Sequence, residues 1–138
     1  MQKELIVGNT YYGFRLVDKR PCPDYRGNGY LFRHEKTKIE VYFLSCDDSE
    51  CCFSYTIYTA PEDDTGVFHI LEHTVLTGSR KYPVRDPFMA LNRNSCNTFL
   101  NAMTAPDRTD YPAASPVKKD FDNIFSIYTD AVFDPLLR

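Results

Sequence analysis

The sequence predicts an α+β fold, an antiparallel or mixed sheet with helices packed on one face. Three observations carry that prediction. The front half holds runs in which apolar residues alternate, the back half switches to helical spacing, and turn-forming clusters separate the two regimes. At 138 residues there is room for one domain with a real core, and a formal net charge of −3 argues against a nucleic-acid partner. No apolar run approaches a membrane span, and the opening residues lack the apolar stretch of a secretory leader, so a cytoplasmic protein with no membrane partner is expected.

Residues 1 to about 28 contain turn formers, among them Pro21, Pro23, Gly27 and Gly29, around the short segment Tyr12 to Val17. Gly29 to Arg33 reads as a strand. Ile39, Val41 and Phe43 then share one strand face, as do Phe53, Tyr55 and Ile57 further on. With Lys36-Thr37-Lys38 as a turn and Ser45 to Glu50 as a polar connection, these runs predict one antiparallel meander. Residues 1–64 are therefore expected to be strand-rich.

Pro61 to Gly66 is an acidic loop, and Val67 to Leu76 follows as a helix closed near Gly78. Asp63, Asp64 and Thr65 are expected to serve its first amides. On this helix Val67, Phe68, Leu71 and Val75 fall on one arc, which predicts the core side. A second helix is expected from about Asp86 to Asn94, with Pro87 in its first turn. Asn97 to Thr104 reads as extended. Ser115-Pro116 opens a longer helix with Val117, Phe121, Ile124, Tyr128 and Val132 along one face.

The one sharp chemical signature is His69-Ile70-Leu71-Glu72-His73. Residues four apart on a helix lie about one turn from each other, so His69 and His73 present two imidazoles side by side. That suits two nitrogen ligands of one zinc ion, while Glu72 at the edge of the same face can reach a metal-bound water. Histidines on a helix are often merely hydrogen-bonded structural residues. Here, though, two of only three histidines bracket a glutamate in the H-x-x-E-H order of inverted zinc peptidases. His34, in the expected meander, has no evident part in such a site. The five cysteines, Cys22, Cys46, Cys51, Cys52 and Cys96, form no Cys-x-x-Cys pair and read as reduced thiols.

The run from Gly66 to His73 continues into Gly78-Ser79-Arg80-Lys81-Tyr82-Pro83-Val84, then Asn97 to Thr104, Pro106 to Thr109, Tyr111-Pro112 and Tyr128 to Phe133. Together with Gly13-Phe14-Arg15 and His34-Glu35-Lys36-Thr37, this resembles the pitrilysin-type inverzincin metallopeptidases, and within them the presequence-protease and falcilysin branch. The resemblance implies a zinc metalloendopeptidase of short unstructured peptides, with His69 and His73 as zinc ligands and Glu72 as general base. It implies that Asn101-Ala102-Met103 lies on an edge strand to which substrate peptide adds as a further strand.

The resemblance also implies a third ligand, a glutamate on a later helix, yet Glu72 is the last glutamate in the chain. None of the seven aspartates after His73 stands in the third-ligand position. Residues 1–138 are therefore expected to be the N-terminal metal-binding portion of a larger peptidase, inactive alone, whose remaining domains are its partners. Residues 65–138 would hold the metal helix, substrate edge and core helix. The alternative is a non-catalytic scaffold or interaction domain of the same superfamily, though a scaffold has no physical need for an intact His69, Glu72 and His73.

Overall fold

A computed structural model describes residues 4–137, which divide into two compact units, one ending at Asp48 and the other beginning at Ser49. The first is a four-stranded antiparallel sheet of β1 (Thr10–Tyr11), β2 (Phe14–Cys22), β3 (Gly27–His34) and β4 (Glu40–Ser45), paired in sequence order. The β3–β4 turn falls where Lys36-Thr37-Lys38 predicts it, closed by the His34 amide donating to the Ile39 carbonyl at 2.8 Å. β2 is longer than the expected Tyr12 to Val17 segment. It passes a bulge between Leu16 and Asp18 and continues through Pro21 to the end of its pairing with β3. Leu16 is wholly buried and anchors this unit.

The second unit contains β5 (Cys51–Tyr58), α1 (Val67–Val75), α2 (Pro87–Asn94), β6 (Phe99–Leu100), β7 (Met103–Thr104), β8 (Arg108–Ser115) and α3 (Lys118–Phe133). Here the structure departs from a single meander. β5 does not pair with β4. It runs antiparallel to β8, whose other edge carries β6 and β7. Alternation defines the faces of a strand but not its neighbour, and the polar stretch from Cys46 to Glu50 leaves β5 free to pair elsewhere.

The central strand β8 was not evident in the sequence, because Pro112 sits in its middle and proline is ordinarily confined to edges. The structure accommodates it in a definite way. β6 and β7 pair with β8 in one unbroken register, Leu100 opposite Ala113 and Met103 opposite Asp110, so Asn101 stands opposite Pro112. The Asn101 amide donates to the Pro112 carbonyl at 3.2 Å. Proline has no N–H to return to the Asn101 carbonyl. The Tyr128 hydroxyl, reaching from α3, donates to it instead at 3.3 Å. Ladder pairing therefore lapses between β6 and β7 without a slip of register.

All three helices contribute to a core on one face of this sheet. Val75 and Leu76 from the end of α1, Tyr111 and Ala113 from β8, and Ile124, Tyr128 and Ala131 from α3 are buried together, with Phe88 and Leu91 of α2 packed against them. Phe53 of β5 meets Phe121, Phe125 and Tyr128 edge-on at centroid distances of 5.7, 5.2 and 5.6 Å. Such contacts each add about 0.5–1.5 kcal/mol beyond their buried area. Tyr55 tethers the same helix through a 2.6 Å hydrogen bond between its hydroxyl and that of Thr129. The α+β prediction with helices on one face therefore holds for this unit, and no helix among the described residues is long and apolar enough to cross a membrane.

Candidate metal centre and substrate edge

The helix that carries the histidines begins at Gly66, whose φ of +69° lies in the left-handed region where a Cβ is penalised. The expected side-chain capping is absent. Asp63 accepts hydrogen bonds from the amide and hydroxyl of Thr65, at 3.0 and 2.6 Å, and so stabilises the preceding turn rather than the first amides of α1. Those two bonds hold its carboxyl below the usual range. α2 does receive its side-chain cap, from Asp86 accepting the Met89 amide at 3.1 Å.

The far end of α1 is fixed by a strap, Gly78 to Pro83, laid along α3. Arg80 pairs with Asp134 at 2.8 Å, the Lys81 amide donates to Asp130 at 2.8 Å, and the Tyr82 hydroxyl lies 2.8 Å from that of Ser126. The Lys81 amide, with the Lys81 and Arg80 cations nearby, holds the Asp130 carboxyl below its ordinary value. The conspicuous sequence after the histidines is thus a structural brace joining the end of α1 to α3.

The buried arc of α1 differs from the one expected. Val67 and Leu71 are exposed, as is Ile70, and the buried residues are Glu72 and Val75. At 100° per residue the inward arc is turned by roughly 55° from the one read in the sequence. The consequence is chemical, because Glu72 points into the protein, only 4% exposed, toward β7 and β8. Its Oε2 accepts a hydrogen bond from the hydroxyl of Thr104. Nearby Tyr111 has its hydroxyl pKa pushed up to about 12, by burial first and then by the negative charge of Glu72.

His69 and His73, one turn apart on the same helix, have their rings stacked, 5.0 Å between centroids and 28° between planes. Their Nε2 atoms are 3.3 Å apart. Two ligands about 2.0–2.1 Å from a tetrahedral zinc are separated by about 3.3–3.4 Å, so the spacing fits one shared ion. Two imidazole lone pairs facing each other at this distance repel unless a proton or a cation lies between them. Among the described residues no cluster of three or more His, Cys, Asp or Glu is arranged to hold a metal. This chain thus offers two nitrogen donors, while the carboxylate of Glu72, next to His73 in the chain, turns inward to Thr104. His34 is engaged elsewhere, with its Nδ1 2.7 Å from the Thr37 hydroxyl and its ring against Phe14.

The Asn97–Thr104 stretch lies at the outer edge of this sheet, where β6 and β7 pair with β8. Asn101 and Ala102 occupy the gap between β6 and β7, and Met103 begins β7. The Asn101 amide donates to Pro112 and the Ala105 amide to Arg108, so the alternation of an antiparallel ladder turns Asn101, Met103 and Ala105 inward toward β8. Leu100, Ala102 and Thr104 turn their main-chain groups outward. Of the three expected substrate residues, Ala102 alone presents its main chain at the free edge. Thr104 was not singled out in the sequence, although its place two residues beyond Ala102 on the same strand face is a period-two signal. An open cleft of about 220 Å³ continues beyond it, with Thr104, Ala105, Phe68 and His69 among its walls.

A helix bearing paired histidines and an inward glutamate, set beside an exposed sheet edge, defines a class. The chain belongs to the insulinase family, peptidase family M16, whose profile matches residues 58–138. Its relatives include presequence protease 1, chloroplastic/mitochondrial, of Arabidopsis thaliana, 49% identical over 89% of this chain and 11% of that protein. The mitochondrial presequence protease of Drosophila melanogaster is 45% identical over 94% of this chain and 13% of its own length. A crystal structure of pitrilysin superposes with a TM-score of 0.77 at 23% identity, covering 91% of this chain and 14% of that one, and so shares its fold. The chain therefore shares the fold of pitrilysin and is related to presequence proteases, spanning little more than a tenth of the length of these proteins.

Proposed function

We propose that this chain carries the zinc-binding helix and the substrate edge of a metalloendopeptidase that hydrolyses short, unstructured peptides. The observation that carries the reading is the 3.3 Å separation of the His69 and His73 Nε2 atoms on a helix whose Glu72, the neighbour of His73 in the chain, is buried. His69 and His73 would hold zinc as neutral imidazoles. Zinc, when bound, supplies a polarised carbonyl and a water acidic enough to give up a proton near neutral pH.

The chain's own residues then have definite tasks. Glu72 takes a proton from the attacking water and returns it to the leaving amine. A peptide lies along the free edge, exchanging main-chain hydrogen bonds with Leu100, Ala102 and Thr104 on this side. Such pairing selects extended, unfolded chains and is indifferent to most side chains. Two imidazoles hold catalytic zinc weakly, so residues 1–138 alone are expected to be inactive, and the third ligand is assigned to the remaining domains of the parent protein. The exposed Val67, Ile70 and Leu71 on the outer side of α1 are consistent with a partner of that kind. The five unpaired thiols go with a reducing compartment such as the cytoplasm.

The test is peptide cleavage by the zinc-loaded full-length protein and its Glu72→Gln variant. The variant is expected to lose about 10²–10⁴-fold in kcat, the usual contribution of a general base. Cleavage at the wild-type rate in the variant would remove Glu72 from the chemistry.

A further inference from the structure

We infer that Thr104 is a positioning residue that ties occupancy of the substrate edge to the aim of Glu72, an inference that rests on the peptidase reading above. Glu72 is buried and lies on a helix, so its carboxylate is constrained only as well as its partners constrain it. The partner the structure provides is the Thr104 hydroxyl, donating to Oε2. A carboxylate with one oxygen held by a hydroxyl keeps the other free to accept a proton, and its rotation about the last side-chain bond is limited.

What makes this hydroxyl more than a local prop is the strand that carries it. β7 is two residues long and joined to β6 only across the interrupted pairing at Pro112. Its register turns the Thr104 amide and carbonyl to the outer edge, while its side chain turns toward α1. A peptide added at that edge would hydrogen-bond to the main chain of the same residue whose side chain holds the base. Pairing fixes β7, and β7 fixes Glu72. An extended peptide would thereby complete the geometry of the base by the act of binding, whereas a ligand that bypasses the edge would leave it less well held.

The experiment uses the full-length zinc-loaded protein with Thr104→Val, which keeps the β-branched shape and removes the hydroxyl, and with Thr104→Ser, which keeps the hydroxyl. Steady-state cleavage of an extended peptide of about ten residues is measured together with zinc stoichiometry and calorimetric binding of the same peptide in the Glu72→Gln background. The valine variant is expected to lose at least tenfold in kcat, with KM, zinc content and peptide affinity within about twofold of the wild type. The serine variant is expected to recover to within about threefold. An unchanged kcat in the valine variant, with an active wild type, overturns the inference and leaves the peptidase reading intact. Equal losses in both variants, or a fall in peptide affinity matching the fall in kcat, also overturn it, because the residue would then be acting through the strand's structure. A wild type without zinc-dependent cleavage overturns the peptidase reading and this inference with it.

Discussion

The hydrogen bond from Tyr128 to Asn101 replaces a ladder bond that Pro112 cannot make, and that substitution can be tested quantitatively. Tyr128 is fully buried, so Tyr128→Phe removes the hydroxyl while keeping the ring in its place against Phe53. The Asn101 carbonyl then loses its partner on the β8 side, at a cost of about 1–1.5 kcal/mol. If that cost falls on local opening of the edge, backbone amide exchange across residues 97–105 should quicken roughly five- to tenfold, since about 1.4 kcal/mol is a factor of ten. Hydrogen–deuterium exchange followed by mass spectrometry reads this directly, whatever the length of the protein. The decisive comparison is the same substitution in a Pro112→Ala background. Alanine restores the N–H opposite Asn101, so loss of the Tyr128 hydroxyl should then change exchange by less than about twofold. Any change in unfolded-chain entropy caused by removing the proline cancels in the double-mutant cycle. Equal acceleration in both backgrounds would refute the reasoning, because the two donors would then not be serving one carbonyl.

Two further outcomes follow from the same site. Asp130, whose folded pKa is depressed by the Lys81 amide and the nearby cations, contributes stability that is present above its unfolded pKa near 3.9 and lost as pH falls through the lower folded value. Asp130→Asn should therefore flatten the acid limb of the thermal-stability profile below about pH 4, and an unchanged limb would show that the strap does not depend on that charge. Gly66→Ala places a Cβ at a φ of +69° where no atom lies within 4 Å of it, so the cost is purely conformational, about 1 kcal/mol. Calorimetric unfolding that shows no loss would mean the helix entry does not hold this conformation.

How much of this was legible in the sequence depended on whether the signal was local. α1 and α2 were readable to within a residue or two because their boundaries are set by neighbouring groups, Gly66 at one start and Asp86-Pro87 at the other. The side-by-side placement of the His69 and His73 rings followed from helical spacing, whereas the inward turn of Glu72 did not. Strand partnership was not legible, since nothing in Cys51 to Tyr58 names β8 as its neighbour. β8 itself was concealed by Pro112, whose missing donor is compensated by a residue sixteen positions later on another element. The rotation of α1 was hidden for a related reason. Counting apolar residues favours Val67 and Leu71 as the inward arc, whereas the described fold buries Glu72 beside Thr104 and leaves those two exposed. The role of Thr104 in holding Glu72 arises from the meeting of a helix and a strand thirty-two residues apart, and only the folded chain brings it to light.

The most direct test of the central claim is the zinc content of the purified full-length protein, measured by plasma emission spectrometry for the wild type and for His69→Ala and His73→Ala. Close to one zinc per chain is expected in the wild type and its loss in both variants, with the fold retained by circular dichroism. Zinc at full stoichiometry in either variant, or a folded wild type that takes up none from micromolar zinc, would contradict the assignment of these two histidines as metal ligands.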